Sequence, residues 1–200
     1  MITSLSELDL SKSYTYADYL TWQFDEMVEV IKGKVFKMSL APLPSHQLVA
    51  GKLHLRMGHF FEDEPCQLFI APFDVRLPTK SVKDEDIVTV FQPDLCVICD
   101  LEKIDRRGCL GAPDLVVEIL SKSTAEKDLK VKYQLYEEAG VSEYWIVEPE
   151  YRKIDQYQLK EASYQLVKSY TQSDTISSAL FPALSISVAD IFKEADLLDR

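Results

Sequence analysis

The sequence has no long apolar run and few glycines, and each shortage argues against a class of protein. No stretch of about 18 apolar residues occurs, so we expect no membrane-spanning helix. The 6 glycines include no glycine-rich phosphate loop, which argues against a Rossmann or P-loop nucleotide-binding domain. Residues 1–10 lack the basic start and apolar centre of a signal peptide, so we expect a cytoplasmic protein.

Cysteine and positive charge are also scarce. The 4 cysteines are Cys66, Cys96, Cys99 and Cys109. Cys96 and Cys99 have the CxxC spacing of zinc sites, but residues three apart on a strand face opposite ways. We therefore expect small, buried cysteines in a reduced intracellular protein. The formal net charge of −11 argues against broad, non-specific nucleic-acid binding, although an acidic catalytic cleft could still use a divalent cation.

The chain does have enough apolar residues, 46% of 200, to form a core. We expect a flexible arm over residues 1–13 and a single domain over residues 14–200. After a short helix and a hairpin, the pattern predicts a helix over 46–62, strands over 67–77, 92–99 and 115–120, a helix ending near 139, and a strand over 143–147. Strands interleaved with helices predict an α/β fold about a central mixed sheet, with extra hairpins near both termini.

Capping residues support both predicted long helices. Ser45 stands immediately before the helix over 46–62, where its hydroxyl could cap the first turn. Ser123 and Glu126 have the spacing of a capping box at the start of the later helix. Gly140 is a residue type typical of the position just after a helix end.

The strand over 115–120 and the helix after it contain two charged residues at positions that should be buried. The strand is apolar without alternation, which is typical of a strand covered on both faces, yet it contains Glu118. A buried carboxylate is costly unless it is paired, hydrogen-bonded or bound to a metal; alternatively, Glu118 lies near the strand end and reaches water. Lys132 shares a helical stripe with Tyr136, which predicts that it faces the sheet. Alternatively, its ammonium reaches solvent or pairs with Asp128.

A third charged residue, Asp94, begins the predicted strand that precedes the strand containing Glu118. If the two strands are neighbours, the carboxylates of Asp94 and Glu118 can converge, and two hard oxygen ligands suit Mg²⁺ or Mn²⁺. The Lys132 ammonium could then orient a water molecule or stabilise an anionic transition state. This combination suits phosphodiester hydrolysis, although it also permits other metal-assisted hydrolysis. An inward lysine and the strand placement argue against a two-carboxylate glycosidase.

Pro93-Asp94, followed by Glu118 and Lys132, resembles the restriction-endonuclease-like PD-(D/E)XK nuclease superfamily. The segments GAPDLVVEILSKST and GVSEYWIVEP further resemble the Uma-type family of putative restriction endonucleases, and the resemblance covers residues 14–192. It implies a core in the order αβββαβ and a Mg²⁺- or Mn²⁺-dependent endonuclease. It also implies that Asp94 and Glu118 are metal ligands and that Lys132 assists the attacking water. The superfamily's lysine normally lies two residues after the acid, where this chain has Leu120, so the next helix would have to supply it.

The resemblance also implies a nucleic-acid partner, with DNA favoured over RNA, no membrane association, and a homodimer as one option. Glu29, His46 and Asp74 match polar positions of the family pattern, with Glu29 or Asp74 as an extra metal contact. The alternatives are a hairpin surface for Glu29, a first-turn helix position for His46 and an exposed strand position for Asp74. Gln92 and Tyr136 could orient the site, and packing explains them equally well.

A second function stays open beside the endonuclease. The negative net charge of the chain and Leu120 at the usual lysine position also suit a catalytically inactive nuclease-fold module. Such a module would bind nucleic acid or a protein partner without cutting.

Overall fold

The computed structural model describes residues 2–38, 42–121 and 125–195, without the side chains of residues 125–129. The capping box predicted for Ser123 and Glu126 lies outside the described residues and side chains. The helices are α1 (Tyr16–Tyr19), α2 (Pro44–Phe61), α3 (Ala125–Ala139) and α4 (Val188–Phe192). The strands up to residue 98 are β1 (Val28–Ile31), β2 (Lys34–Lys37), β3 (Gln67–Ile70), β4 (Val75–Arg76), β5 (Val90–Phe91) and β6 (Leu95–Ile98). The later strands are β7 (Ile104–Asp105), β8 (Gly108–Leu110), β9 (Leu115–Ile119), β10 (Glu143–Glu148), β11 (Lys153–Lys160), β12 (Ser163–Tyr170), β13 (Thr175–Ser177) and β14 (Ser185–Ser187).

The described residues form two compact units. The first contains residues 2–38, 72–92 and 102–112, and the second contains residues 42–71, 93–101 and 113–195. Each unit has a sheet of its own. The flexible arm over residues 1–13 and the single domain over residues 14–200 stay predictions. No helix in the described part of the chain is long and apolar enough to cross a membrane.

The first unit is built on a sheet in the order β2-β1-β5-β4-β8-β7. The predicted hairpin is confirmed, because β1 and β2 pair antiparallel around Lys32 and Gly33, which have φ angles of 51° and 80°. Two successive positive φ angles match the turn that suits the twist of a two-residue hairpin. The short helix α1 begins with a capping box, in which the Thr15 and Asp18 side chains each accept from the other residue's backbone N–H.

The second unit confirms the predicted fold class. Its elements follow in the order α2, β3, β6, β9, α3 and β10, which is the αβββαβ core. The sheet order is β12-β11-β10-β9-β6-β3, with β9 and β10 parallel and the other neighbours antiparallel. The predicted C-terminal hairpin, β11 and β12, extends this sheet.

The two faces of strand β9 have different neighbours. Leu115, Val117 and Ile119 belong to an apolar core that also includes Val49 and Leu53 of α2. Because side chains alternate along a strand, Glu118 projects to the opposite face, where α3 covers the sheet. All five residues of β9 are buried, as the unalternating apolar run predicts.

Two predicted elements are wrong in detail. Helix α2 begins at Pro44, with Leu43 at the capping position and no side-chain cap, so Ser45 lies inside the first turn. Proline suits that position because the first helical N–H has no intrahelical acceptor. The single strand predicted over residues 67–77 is two strands, β3 and β4, in different units. Pro72, which cannot donate to a ladder, lies between them, and Asp74 precedes β4.

The expectation of reduced cysteines is wrong for one pair, since Cys66 and Cys99 form a disulfide. Strands β3 and β6 pair antiparallel with Gln67 opposite Ile98, so the residues just beyond this pair lie next to each other. Cys96 and Cys109 are buried thiols, as expected.

Candidate active site

Asp94 and Glu118 lie beside each other on the neighbouring strands β6 and β9 of the second unit's sheet. Strands β6 and β9 are antiparallel, with Leu95 opposite Val117. One residue further along this register, Asp94 comes opposite Glu118. Directly opposed residues of an antiparallel pair project to the same face, with Cα atoms about 4.5 to 5.5 Å apart. The sheet therefore brings together two acids that are 24 positions apart in the sequence.

Two donors fix the orientation of the Asp94 carboxylate. The backbone N–H of Ile119 donates to Oδ2 over 2.7 Å. Nε2 of His46, in the first turn of α2, lies 3.3 Å from the same oxygen. Both contacts use Oδ2, so Oδ1 is the oxygen that can bind an ion without losing either donor.

Glu118 is buried, Lys132 is largely buried, and the two side chains form an ion pair. The Lys132 Nζ donates to Oε1 of Glu118 over 2.9 Å, and the two side chains are 15% and 9% exposed. The hydroxyl of Tyr136, which is fully buried, also donates to this oxygen. The structure therefore favours an inward Lys132 over one that reaches solvent. It likewise favours a buried, paired Glu118 over one at an exposed strand end. Their catalytic roles stay predictions.

The charges of the two acids act on His46. Burial of the imidazole lowers the pKa of His46, but the hydrogen bond to Asp94 and the negative charges of Asp94 and Glu118 outweigh it and raise the pKa above 6.5. Nδ1 of His46 is buried and has no hydrogen-bond partner in the described part of the chain. His46 is thus held through one nitrogen, and that nitrogen contacts an acid of the site.

Replacing Asp94 by Asn is expected to lower the pKa of His46. In the wild type the raised pKa means that protonated His46 stabilises the fold. This stabilisation is fully present below the unfolded-state pKa of about 6.5 and is lost as pH rises through the folded-state pKa. The measurement is an NMR titration of the imidazole Cε1 protons in EDTA, with His46→Gln to assign the resonance among the 3 histidines. An unchanged His46 titration in Asp94→Asn would contradict the pairing.

Three supporting residues predicted from the sequence, Glu29, Asp74 and Gln92, lie in the first unit and contact one another. The backbone N–H of Gln92 donates to Oε1 of Glu29 over 3.0 Å, and its side-chain amide donates to Oδ1 of Asp74 over 2.7 Å. Glu29 is buried and not on the hairpin surface. Burial raises the pKa of Asp74, although the Gln92 amide and the charge of Arg76 oppose the shift. Their role in a metal site stays a prediction.

Another acid of the second unit, Glu143, is more deeply buried than Glu118 but has a different environment. Its carboxylate accepts hydrogen bonds from the side chains of Trp145, Gln156 and Ser178 and from the backbone N–H groups of Ala179 and Leu180. Five donors stabilise the charge and occupy both oxygens, which leaves little capacity for a substrate or an ion. Glu143 therefore holds the chain over residues 178–180, and Glu118 is the better candidate for chemistry.

Sequence analysis missed one residue near the acids, Tyr144. It is fully buried, and its ring makes an edge contact with Tyr136 at 5.1 Å between centroids. Burial first, and then the charges of nearby groups that include Glu118 and Asp94, raise the pKa of Tyr144 well above 10. A tyrosine in an apolar strand gives no signal that separates it from a core aromatic, so only the structure could reveal it.

The donor set fits a hard divalent ion that keeps an open coordination sphere. Within the described side chains, no group of three or more His, Cys, Asp and Glu residues converges as a metal site. Mg²⁺ is commonly held by one or two carboxylates and completes its coordination with water and substrate phosphate. Asp94 and Glu118 could supply such a pair, whereas a structural zinc site needs four ligands.

The model of the Uma2 family, described as "Putative restriction endonuclease", matches residues 16–189. The fold is similar to the crystal structure of a putative nuclease belonging to DUF820 from Anabaena variabilis. That similarity has a TM-score of 0.69 and 18% sequence identity, and it covers 91% of this chain and 99% of the other. At this identity the likeness concerns the fold alone. No curated protein matches the chain.

Proposed function

Because the chain belongs to the Uma2 family of putative restriction endonucleases, we propose that it is a metal-dependent endonuclease that hydrolyses phosphodiester bonds in DNA. The observation that carries the proposal is that Lys132 contacts Glu118, while the register of β6 and β9 puts Asp94 opposite Glu118. Asp94 and Glu118 would hold Mg²⁺ or Mn²⁺. The cytoplasm is the proposed compartment.

The ion, when bound, would lower the pKa of a water molecule and neutralise charge on the phosphate. The chain's own residues have three tasks. Ile119 and His46 keep the Asp94 carboxylate in one orientation through Oδ2. The Tyr136 hydroxyl keeps the Glu118 carboxylate in one orientation. Because these groups are already in place, none of them has to move when the reaction occurs.

Lys132 supplies the positive charge for the transition state. Water attacks phosphorus, the bond to the leaving oxygen breaks, and negative charge accumulates on the phosphoryl oxygens. An ammonium within 2.9 Å of Glu118 is close enough to orient the attacking water or to stabilise those oxygens. Leu120 stands at the superfamily's usual lysine position, so the helix α3 lysine is proposed to replace it.

The decisive experiment is cleavage of supercoiled plasmid and of single-stranded DNA with Mg²⁺, with Mn²⁺ or with EDTA. We expect nicked and linear plasmid only with a divalent ion. The double variant Asp94→Asn, Glu118→Gln serves as the background control, because it keeps the shape of both side chains and removes both charges. Equal product from the wild type and this variant would overturn the proposal.

The main rival function is a nuclease-fold module that binds without cutting, and Leu120 is the residue that favours it. DNA binding and DNA cleavage, each measured with Mn²⁺ and with EDTA, separate the two functions. A module that only binds DNA needs no ion at Asp94 and Glu118. A wild type that shifts DNA in a gel equally with Mn²⁺ and with EDTA, and gives no product, would favour the binding module.

A further inference from the structure

Tyr144 lies on the same sheet face as the proposed metal ligand Glu118. Strand β10 runs parallel to β9, with Tyr144 opposite Val116 and Ile146 opposite Glu118. Val116 and Glu118 are two residues apart and project to the same face, so Tyr144 also projects there. The charges of Glu118 and Asp94 both act on its hydroxyl, with that of Glu118 the stronger. The Tyr144 hydroxyl is therefore enclosed on the acidic side of the sheet.

That hydroxyl has no hydrogen-bond partner within the described part of the chain, although it is buried. A buried polar atom without a partner costs about 1 to 3 kcal/mol, so phenylalanine would fill this position better if packing alone mattered. Neighbouring tyrosines behave differently. The Tyr164 hydroxyl donates to the carbonyl oxygen of Val141 over 2.9 Å, and the Tyr136 hydroxyl donates to Glu118.

The Tyr144 hydroxyl can donate a hydrogen bond, because burial first and then the nearby carboxylates raise the pKa of Tyr144 and favour the protonated phenol. A donor needs an acceptor within about 3 Å. Among the charged groups that act on Tyr144, Glu118 has the largest effect, and its Oε1 atom accepts from Lys132 and Tyr136 in the structure. An ion bound by Glu118 would compete with the Lys132 ammonium for this carboxylate.

We propose that Tyr144 is a positioning residue for Glu118, whose carboxylate accepts a hydrogen bond from the Tyr144 hydroxyl when it turns to bind a divalent ion. This inference rests on the proposed metal-dependent function and adds a residue to it. Without the ion the Tyr144 hydroxyl has no acceptor among the described residues and destabilises the fold. With the ion bound it donates to the Glu118 carboxylate and stabilises the site. Tyr144 thus stabilises the loaded site at the expense of the ion-free fold.

The test compares Tyr144→Phe with Tyr164→Phe, two variants that lose the same atom in the same tyrosine cluster. In EDTA, Tyr144→Phe is expected to raise Tm by about 2 to 4 °C, because it removes an unpaired buried hydroxyl. Tyr164→Phe is expected to lower Tm by a similar amount, because it leaves the Val141 carbonyl without its donor. In calorimetric titrations with Mn²⁺, Tyr144→Phe should weaken binding about 10-fold, as for a lost hydrogen bond to a charged group, and Tyr164→Phe should not.

Each outcome decides the inference. Unchanged Mn²⁺ affinity in Tyr144→Phe, or a Tm that falls as in Tyr164→Phe, overturns it. If the wild type binds Mn²⁺ and cuts DNA but Tyr144→Phe behaves identically, only the role of Tyr144 fails. If Tyr144→Phe loses affinity while the wild type cuts no DNA, the role of Tyr144 stands and the endonuclease fails. A wild type that binds no Mn²⁺ overturns both.

Discussion

Glu118→Gln is expected to reduce DNA cleavage by at least about 10³-fold, the loss of several kcal/mol that a metal-stabilised transition state would suffer without its ion. Glutamine keeps the shape of the side chain and an oxygen that can still accept from Tyr136. It removes the negative charge that would hold the ion beside Asp94. The measurement is single-turnover cleavage of plasmid with saturating Mn²⁺, together with calorimetric Mn²⁺ titration, in which binding should be lost.

The same substitution leaves Lys132 in a buried site without its counter-charge. Removing one partner of a buried ion pair costs about 3 to 5 kcal/mol, so circular dichroism must show that the variant is folded at the assay temperature. Glu148→Gln is the matched control, because Glu148 ends β10 and pairs with Lys153 over 2.7 Å. We expect its cleavage rate to stay within about 2-fold of wild type. Cleavage by Glu118→Gln at the Glu148→Gln rate would remove Glu118 from the mechanism.

The core of the second unit could be predicted from the sequence because its signals are local. The unalternating run around Glu118 indicates a strand buried on both faces, and the stripe containing Lys132 and Tyr136 indicates the helix face that covers it. A charge at each of these buried positions is costly unless the two are paired. The same argument predicts the contact that the structure shows between Lys132 and Glu118.

The features that the sequence did not predict depend on contacts between distant residues. The disulfide of Cys66 and Cys99 follows from the pairing of β3 with β6, and no spacing rule specifies that pairing. The mostly apolar run over residues 67–77 predicts one strand with Asp74 inside it, whereas Pro72, which cannot donate to a ladder, separates β3 from β4. For Tyr144, the missing hydrogen-bond partner is a property of the folded core.

In the structure, Lys132 holds the oxygen of Glu118 that an ion would attract. The buried ammonium compensates the Glu118 charge in the ion-free fold, which keeps a costly carboxylate tolerable. In the proposed mechanism a divalent ion would replace that compensation and leave Lys132 able to act on a substrate. One side chain would then have a stabilising task before the ion binds and a catalytic task afterwards. These two tasks should separate in kinetic and binding measurements.

Lys132→Met is expected to lower the single-turnover cleavage rate about 10²- to 10³-fold, the usual loss for one preorganised electrostatic group. Mn²⁺ affinity should not fall, because the ammonium no longer competes for Glu118. Methionine has similar length and tolerates an irregular apolar site, so packing changes little. Lys130→Met is the matched control, since Lys130 is exposed on the same helix and should cut at the wild-type rate. If Lys132→Met loses Mn²⁺ affinity and rate in parallel, Lys132 supports the fold of the site and takes no part in the chemistry. If it cuts as fast as Lys130→Met, the helix α3 lysine does not replace the one missing at Leu120.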